Sequence, residues 1–296
     1  MLKRDSLGNK IAVNHRDNSW KTEDGSLLFV QLWEPERNMR GVINLIHSLG
    51  EHSGRYAKWA ARLADEGFVV RAFDLRGHGR SSGKRGHASN YNKLIRDVGQ
   101  FVDQAREEYP GLPVFLYGHS FGANLILNYM IRHVNNLDGI IITSPWFESI
   151  RTFSKLMISL YTYLSILVPG ILLHNRIKLE DLSRDLRVVH SYRTDPLIHD
   201  RISLRLLMDN YQAGKQASTS IYKINSPMLV MHGTEDHVTS CKASRKFVQN
   251  AGNKTRFIEW PGCYHELHND MDKDEVFKSI LQWLDEYAQP ERKRNA

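Results

Sequence analysis

The chain has 296 residues, 41% of them hydrophobic and 25% charged, with a formal net charge of +7. A chain of this length buries enough surface to hold a core without cross-links, and its two cysteines, Cys241 and Cys263, exclude a disulfide framework and offer no zinc-ligand spacing. The positive charge is scattered apart from Arg292-Lys293-Arg294, no nucleic-acid motif accompanies it, and the basic start MLKRDSLGNK lacks the apolar run of a signal peptide or anchor.

Strands are expected around Ile11–Val13 and Leu27–Trp33, and then at Gly41–Ile46, whose GVINLI is an unbroken apolar run of the buried kind. The turn-rich stretch His47–Gly54 follows, then a helix over Arg55–Glu66, a strand over Phe68–Phe73, a glycine-rich loop and a helix over Tyr91–Glu108. Strand Val114–Tyr117, helix Gly122–Val134 and strand Gly139–Thr143 continue the alternation. Strand–helix alternation with buried strands predicts a mostly parallel, doubly wound α/β sheet.

The alternation stops after Pro145. Residues 147–224 contain no clear strand and read as helices and loops. Strand Met228–Met231, helix Cys241–Ala251, strand Arg256–Trp260 and helix Glu275–Gln289 then resume it. The division expected is a core of residues 1–146 and 225–296 with a helical cap over 147–224, inserted at the carboxyl ends of the strands where such sheets bind ligands.

Gly118-His119-Ser120-Phe121-Gly122 fits G-x-S-x-G, and so does Gly79-Arg80-Ser81-Ser82-Gly83. A nucleophile elbow needs a buried strand immediately before it and a helix immediately after. Ser120 has VFLY before it and ANLILNYMIRHV after it. Ser81 has neither, which selects Ser120 as the nucleophile. A serine hydroxyl needs a base to take its proton, and with this elbow the chain order is serine, acid, histidine. The strand ending MLVM runs into His232-Gly233-Thr234-Glu235-Asp236, and RFIEW runs into Pro261-Gly262-Cys263-Tyr264-His265-Glu266-Leu267-His268. Asp236 is preferred to Glu235 as the acid, and His265 to His268 as the base. Two amides must hold the oxyanion, and the expected donors are Phe121, after the nucleophile, and Leu49, in the loop after GVINLI. No metal or cofactor is expected, because no HExxH or comparable ligand set exists.

These residues resemble a known family. HSLGEHSGRY (His47–Tyr56), FDLRGHGRSSG (Phe73–Gly83), YPGLPVFLYGHSFG (Tyr109–Gly122), Thr194-Asp195-Pro196-Leu197, HGTEDHV (His232–Val238) and YHELHND (Tyr264–Asp270) are similar, in order, to the motifs of monoacylglycerol lipases and related lysophospholipase-like hydrolases. The resemblance implies a capped α/β-hydrolase fold with an apolar tunnel for the acyl chain and a small polar pocket for the head group. It implies Ser120, Asp236 and His265 as the triad, Leu49 and Phe121 as oxyanion amides, and Glu51, Arg55, His119 and Tyr192 as the pocket for the alcohol. Glu51 and Arg55 have a second reading, in which they tie the loop to the sheet. The chain departs from the family at Ser48, where the family has glycine, a residue free to adopt backbone angles that serine resists.

The expected activity is hydrolysis of a monoacylglycerol-like ester, with a lysophospholipid as the second substrate and a non-catalytic ligand-binding protein on the same fold as the contrasting class. Leu156–Leu173 carries no charge. It is too short for a membrane span and is broken by Pro169-Gly170. It reads either as cap core or as a greasy rim docking on bilayers, and the resemblance favours the rim. A cytoplasmic protein, peripheral to a membrane, with a lipid ester as partner and no nucleic acid, is expected; the oligomeric state is left open.

Overall fold

A computed structural model describes residues 13–133, 137–150 and 153–288. Its strands are β1 (Val13–Lys21), β2 (Leu27–Pro35), β3 (Gly41–Ile46), β4 (Phe68–Phe73), β5 (Val114–His119), β6 (Gly139–Thr143), β7 (Leu172–His174), β8 (Arg201–Ser203), β9 (Met228–Gly233) and β10 (Thr255–Trp260). Its helices are α1 (Ala57–Asp65), α2 (Tyr91–Glu108), α3 (Phe121–Arg132), α4 (Lys155–Leu167), α5 (Leu186–Thr194), α6 (Leu204–Ser220), α7 (Cys241–Gln249) and α8 (Lys273–Tyr287).

Eight strands form one sheet in the order β1-β2-β4-β3-β5-β6-β9-β10. Strand β2 runs antiparallel to both β1 and β4. The others pair in parallel from β4 to β10. Alternation along each strand builds two cores. Val42 and Ile46, Val114 and Leu116, and Met228 and Val230 face α2 and α3. Ile43 and Leu45, Phe115 and Tyr117, and Leu229 and Met231 face α1 and α8. Strands β3, β4, β5, β6 and β9 are buried at every residue, which is why they read as continuous apolar runs.

From β3 the chain crosses to β4 on one side, whereas β5 lies on the other side of β3. The winding therefore reverses between β3 and β5, and the loops leaving these strands part to open a crevice at their carboxyl ends.

Several boundaries differ from expectation. Of the Ile11–Val13 strand only Val13 falls within the described residues. The strand there runs on to Lys21 as an edge, pairing with β2 and mostly exposed, so VNHRDNSWK carries no apolar alternation to read. Val134, Gln289 and the basic tail lie outside the described residues. The helix expected from Arg55 begins as a 3-10 turn over Ser53–Tyr56, with α1 following. The insertion between β6 and β9 holds α4, α5 and α6 and also β7 and β8, an antiparallel pair of three residues each. Strands that short leave no periodicity to detect.

Helix α4 is capped by Ser154, which accepts the Met157 N–H. Of its residues only Ser165 is buried, and Leu156, Leu160, Tyr163, Ile166 and Leu167 are exposed. No helix among the described residues is long and apolar enough to cross a membrane.

Candidate active site

Ser120 sits where β5 turns into α3, at φ 51° and ψ −107°, a left-handed backbone that a residue with a side chain adopts only under constraint. The glycines around it explain the motif. A Cβ on Gly118 would lie 2.8 Å from the Ala123 N, and one on Gly122 would lie 2.2 Å from the Ile46 O, so any side chain would force β5, α3 and β3 apart. The turn is held by the Ser120 N–H, which donates to Thr143 O at 2.9 Å. Ser81, in the second match, is structural: its hydroxyl donates to Asp74 O at 2.5 Å and accepts the Phe29 N–H at 2.8 Å.

Asp236 lies in the loop after β9 and His265 in the loop after β10. His265 Nδ1 is 2.8 Å from Asp236 Oδ2. Glu235 is exposed while Asp236 is buried, and His268 is buried instead against Tyr56, ring centroids 4.5 Å apart, with neither of its nitrogens hydrogen-bonded among the described residues. The Asp236 carboxylate is nearly saturated. Its Oδ1 accepts the N–H groups of Val238 and Thr239 at 2.7 and 2.9 Å, and its Oδ2 takes the Thr239 hydroxyl at 2.8 Å and His232 Nε2 at 3.0 Å. Burial opposes its charge, but His265 and His232 outweigh that and hold its pKa well below the carboxylate range. For His265 burial favours the neutral ring, yet the adjacent carboxylate prevails and the imidazole is held above its ordinary value.

Ser120 and His265 both line a cavity of about 650 Å³. No hydrogen bond joins them among the described residues, as is common for such pairs before substrate arrives. Leu49 lies in the loop after β3 and lines the same cavity. Phe121 is buried behind the wall, its amide the first of α3. Neither the Leu49 nor the Phe121 N–H has an acceptor among the described residues. Ser48 also lines the cavity, and its backbone is not in the left-handed region, so serine is held there without the strain its place in a glycine position suggested.

Of the four residues expected around the alcohol, Glu51, His119 and Tyr192 line the cavity and Arg55 does not. Glu51 Oε1 accepts the Ser48 N–H and the Tyr56 hydroxyl, each at 2.7 Å, and its Oε2 takes Arg55. Burial raises the Glu51 carboxyl, but Arg55 and three nearby histidines bring it down below the usual range. His119 Nδ1 lies 3.0 Å from Thr143 Oγ1, and burial with the neighbouring His265 keeps its ring neutral. The cavity also has an apolar lining, with Phe153, Met157, Tyr161, Leu173 and Leu207 from the insertion. His232, Thr239 and Glu266 join the site without having been expected. His232 and Thr239 sit in or beside motifs already quoted, but their roles depend on how the loop folds back on Asp236.

Residues 37–272 match the family model described as serine aminopeptidase, S33. The chain is 35% identical over 269 residues to an uncharacterized abhydrolase domain-containing protein of Dictyostelium discoideum, an alignment covering 90% of this chain but 28% of that longer one. It is 32% identical over 270 residues to the monoglyceride lipase of Homo sapiens, with 88% of each covered. The crystal structure of Paleococcus ferrophilus monoacylglycerol lipase superposes with a TM-score of 0.80 at 32% identity, covering 87% of this chain and 98% of that one. With most of its length matched by the family model, the chain belongs to the serine aminopeptidase S33 family of α/β-hydrolases.

Proposed function

We propose that the chain is a serine carboxylester hydrolase that cleaves the acyl ester of monoacylglycerol-like lipids. The observation that carries this reading is the strained Ser120 opening into the same cavity as His265, whose other nitrogen is held by a buried, ionised Asp236. Ser120 Oγ attacks the ester carbonyl as His265 Nε2 takes its proton. Asp236 fixes the proton on Nδ1 and stabilises the imidazolium. The amides of Leu49 and Phe121 receive the developing oxyanion, a contribution of about 3–4 kcal/mol each. His265 returns the proton to the departing alcohol, then activates water to release the acid from the acyl-enzyme.

We infer the substrate's orientation from the two kinds of side chain that line the cavity. The acyl chain lies among Phe153, Tyr161 and Leu207, and the alcohol beside Glu51, His119 and Tyr192. Residues 147–224 act as a cap over a core of 1–146 and 225–296. The exposed apolar face of α4, with Leu156, Leu160 and Ile166, docks on a bilayer and lets substrate pass from it. Both cysteines are unpaired, which supports a reducing, cytoplasmic compartment with peripheral membrane attachment. A lysophospholipid is the second substrate, favoured by Arg176 and Lys178, exposed cationic side chains on the cavity lining.

A panel of monoacylglycerols, lysophospholipids and short p-nitrophenyl esters compared by kcat/KM tests the assignment. Monoacylglycerol should lead. Equal, negligible rates across the panel would favour a ligand-binding role for the same pocket.

A further inference from the structure

Arg55 occupies the middle of a buried chain of charges. One guanidinium nitrogen bonds Glu51 Oε2 and also Glu266 Oε1 at 2.6 Å, and the other bonds Glu266 Oε2 at 2.7 Å. All three side chains are nearly inaccessible, Arg55 at 8%, Glu51 at 2% and Glu266 at 3%. What lies at the two ends gives the chain its meaning. Glu51 accepts the amide of Ser48, the residue before Leu49. Glu266 directly follows His265, and its own N–H donates to Leu182 O at 2.8 Å while its Oε2 accepts from Asn269 at 2.8 Å. The Tyr192 ring, from α5 of the insertion, covers the guanidinium 4.6 Å from its centroid, and Arg55 has no surface on the cavity.

We propose that Arg55 is a positioning residue, a strut locking the loop of the Leu49 amide to the loop of His265 through Glu51 and Glu266, and not a contact for the substrate's alcohol. The proposal rests on the serine-hydrolase reading. Its physical basis is the planar fork of arginine, which meets two carboxylates in fixed directions where a lysine's point charge cannot. Both carboxylates are engaged by this fork and by protein N–H or O–H groups. Loss of the strut frees two loops that must hold a donor and a base on opposite sides of one reacting carbon, and a misplacement of about 1 Å in such a site costs about 100-fold in rate.

The test compares a monoacylglycerol with the ethyl ester of the same acid, which has no glycerol to bind, using Arg55→Lys and Glu266→Gln. A strut predicts that kcat falls at least tenfold on both esters, with KM within about twofold of wild type, and that Arg55→Lys, which keeps the charge, does not rescue the rate. A loss confined to the glycerol ester and carried by KM would overturn the proposal, as would wild-type rates on both. Glu266→Gln retains shape and one hydrogen bond to the guanidinium, so it decides the question if Arg55→Lys does not fold. Fluorophosphonate labelling of the wild type, measured alongside, reports separately on the serine assignment, so a failure there is seen as distinct from a failure of the strut.

Discussion

Changing Asp236 to Asn has a result that can be worked out from the hydrogen bonds around it. Two backbone N–H groups, from Val238 and Thr239, point at Oδ1 at 2.7 and 2.9 Å. An asparagine amide must put its oxygen there, because its NH₂ would face two donors. The NH₂ is then forced into the Oδ2 position, against His265 Nδ1 and His232 Nε2. A donor at that place makes Nδ1 an acceptor and moves the imidazole proton to Nε2, where it blocks removal of the serine proton. A wrong tautomer of this kind costs about 10⁴ in kcat, or about 5 kcal/mol of barrier at 1.36 kcal/mol per decade.

The pH profile provides a second readout. His265 acts as base only when neutral, and Asp236 holds its pKa above the ordinary value, so wild-type activity falls as pH falls through that raised value. In Asp236→Asn burial is left to favour the neutral ring, and the residual activity's acid limb moves to lower pH. For stability the sign is the reverse: the raised His265 adds a contribution that is full below the free imidazole's pKa and is lost as pH rises past the folded one. Initial rates on p-nitrophenyl butyrate between pH 5 and 9 measure the acid limb, and urea unfolding over the same range measures the stability contribution. A variant within about tenfold of wild-type kcat, with an unmoved acid limb, would refute the tautomer argument.

Leu160→Asp with Ile166→Asp places charge on the exposed face of α4 and should reduce co-sedimentation with liposomes severalfold while leaving the rate on a water-soluble ester unchanged; full pelleting of the folded variant counts against the docking face. Ser48→Gly should change kcat less than about threefold and lower stability by about 0.5–1 kcal/mol, because serine is unstrained there and glycine costs more entropy on folding; a melting curve and steady-state kinetics check it. Gly122→Ala forces a Cβ to within 2.2 Å of Ile46 O and should destabilise by at least 1–3 kcal/mol, read by urea unfolding; a variant as stable as wild type would show that the elbow has room to relax.

The parts of this molecule legible in its sequence are those fixed by contiguous residues. Ser120 stands out because a fully buried strand and an apolar helix abut the same five residues, and the steric need for Gly118 and Gly122 is local. Asp236 and His265 could be ranked because each follows a strand of the sheet, but the choice over Glu235 and His268 is made by packing: Glu235 is exposed, and His268 is taken up by a stack on Tyr56. Thr239, His232 and Glu266 were not legible, since their partners lie in the fold of a loop or 211 residues away across it. Strand β1 was short-changed because an exposed edge lacks periodicity. The apolar run of α4 was visible as composition, but its exposure, which separates a docking face from cap core, is a property of packing alone.

The most direct measurement of the central claim is intact-mass analysis after a fluorophosphonate probe. Every protein molecule should gain one probe mass, with the adduct mapped to Ser120 and labelling abolished in Ser120→Ala and slowed by orders of magnitude in His265→Ala. Absence of labelling in folded wild type, or an adduct that persists in Ser120→Ala, would contradict the account.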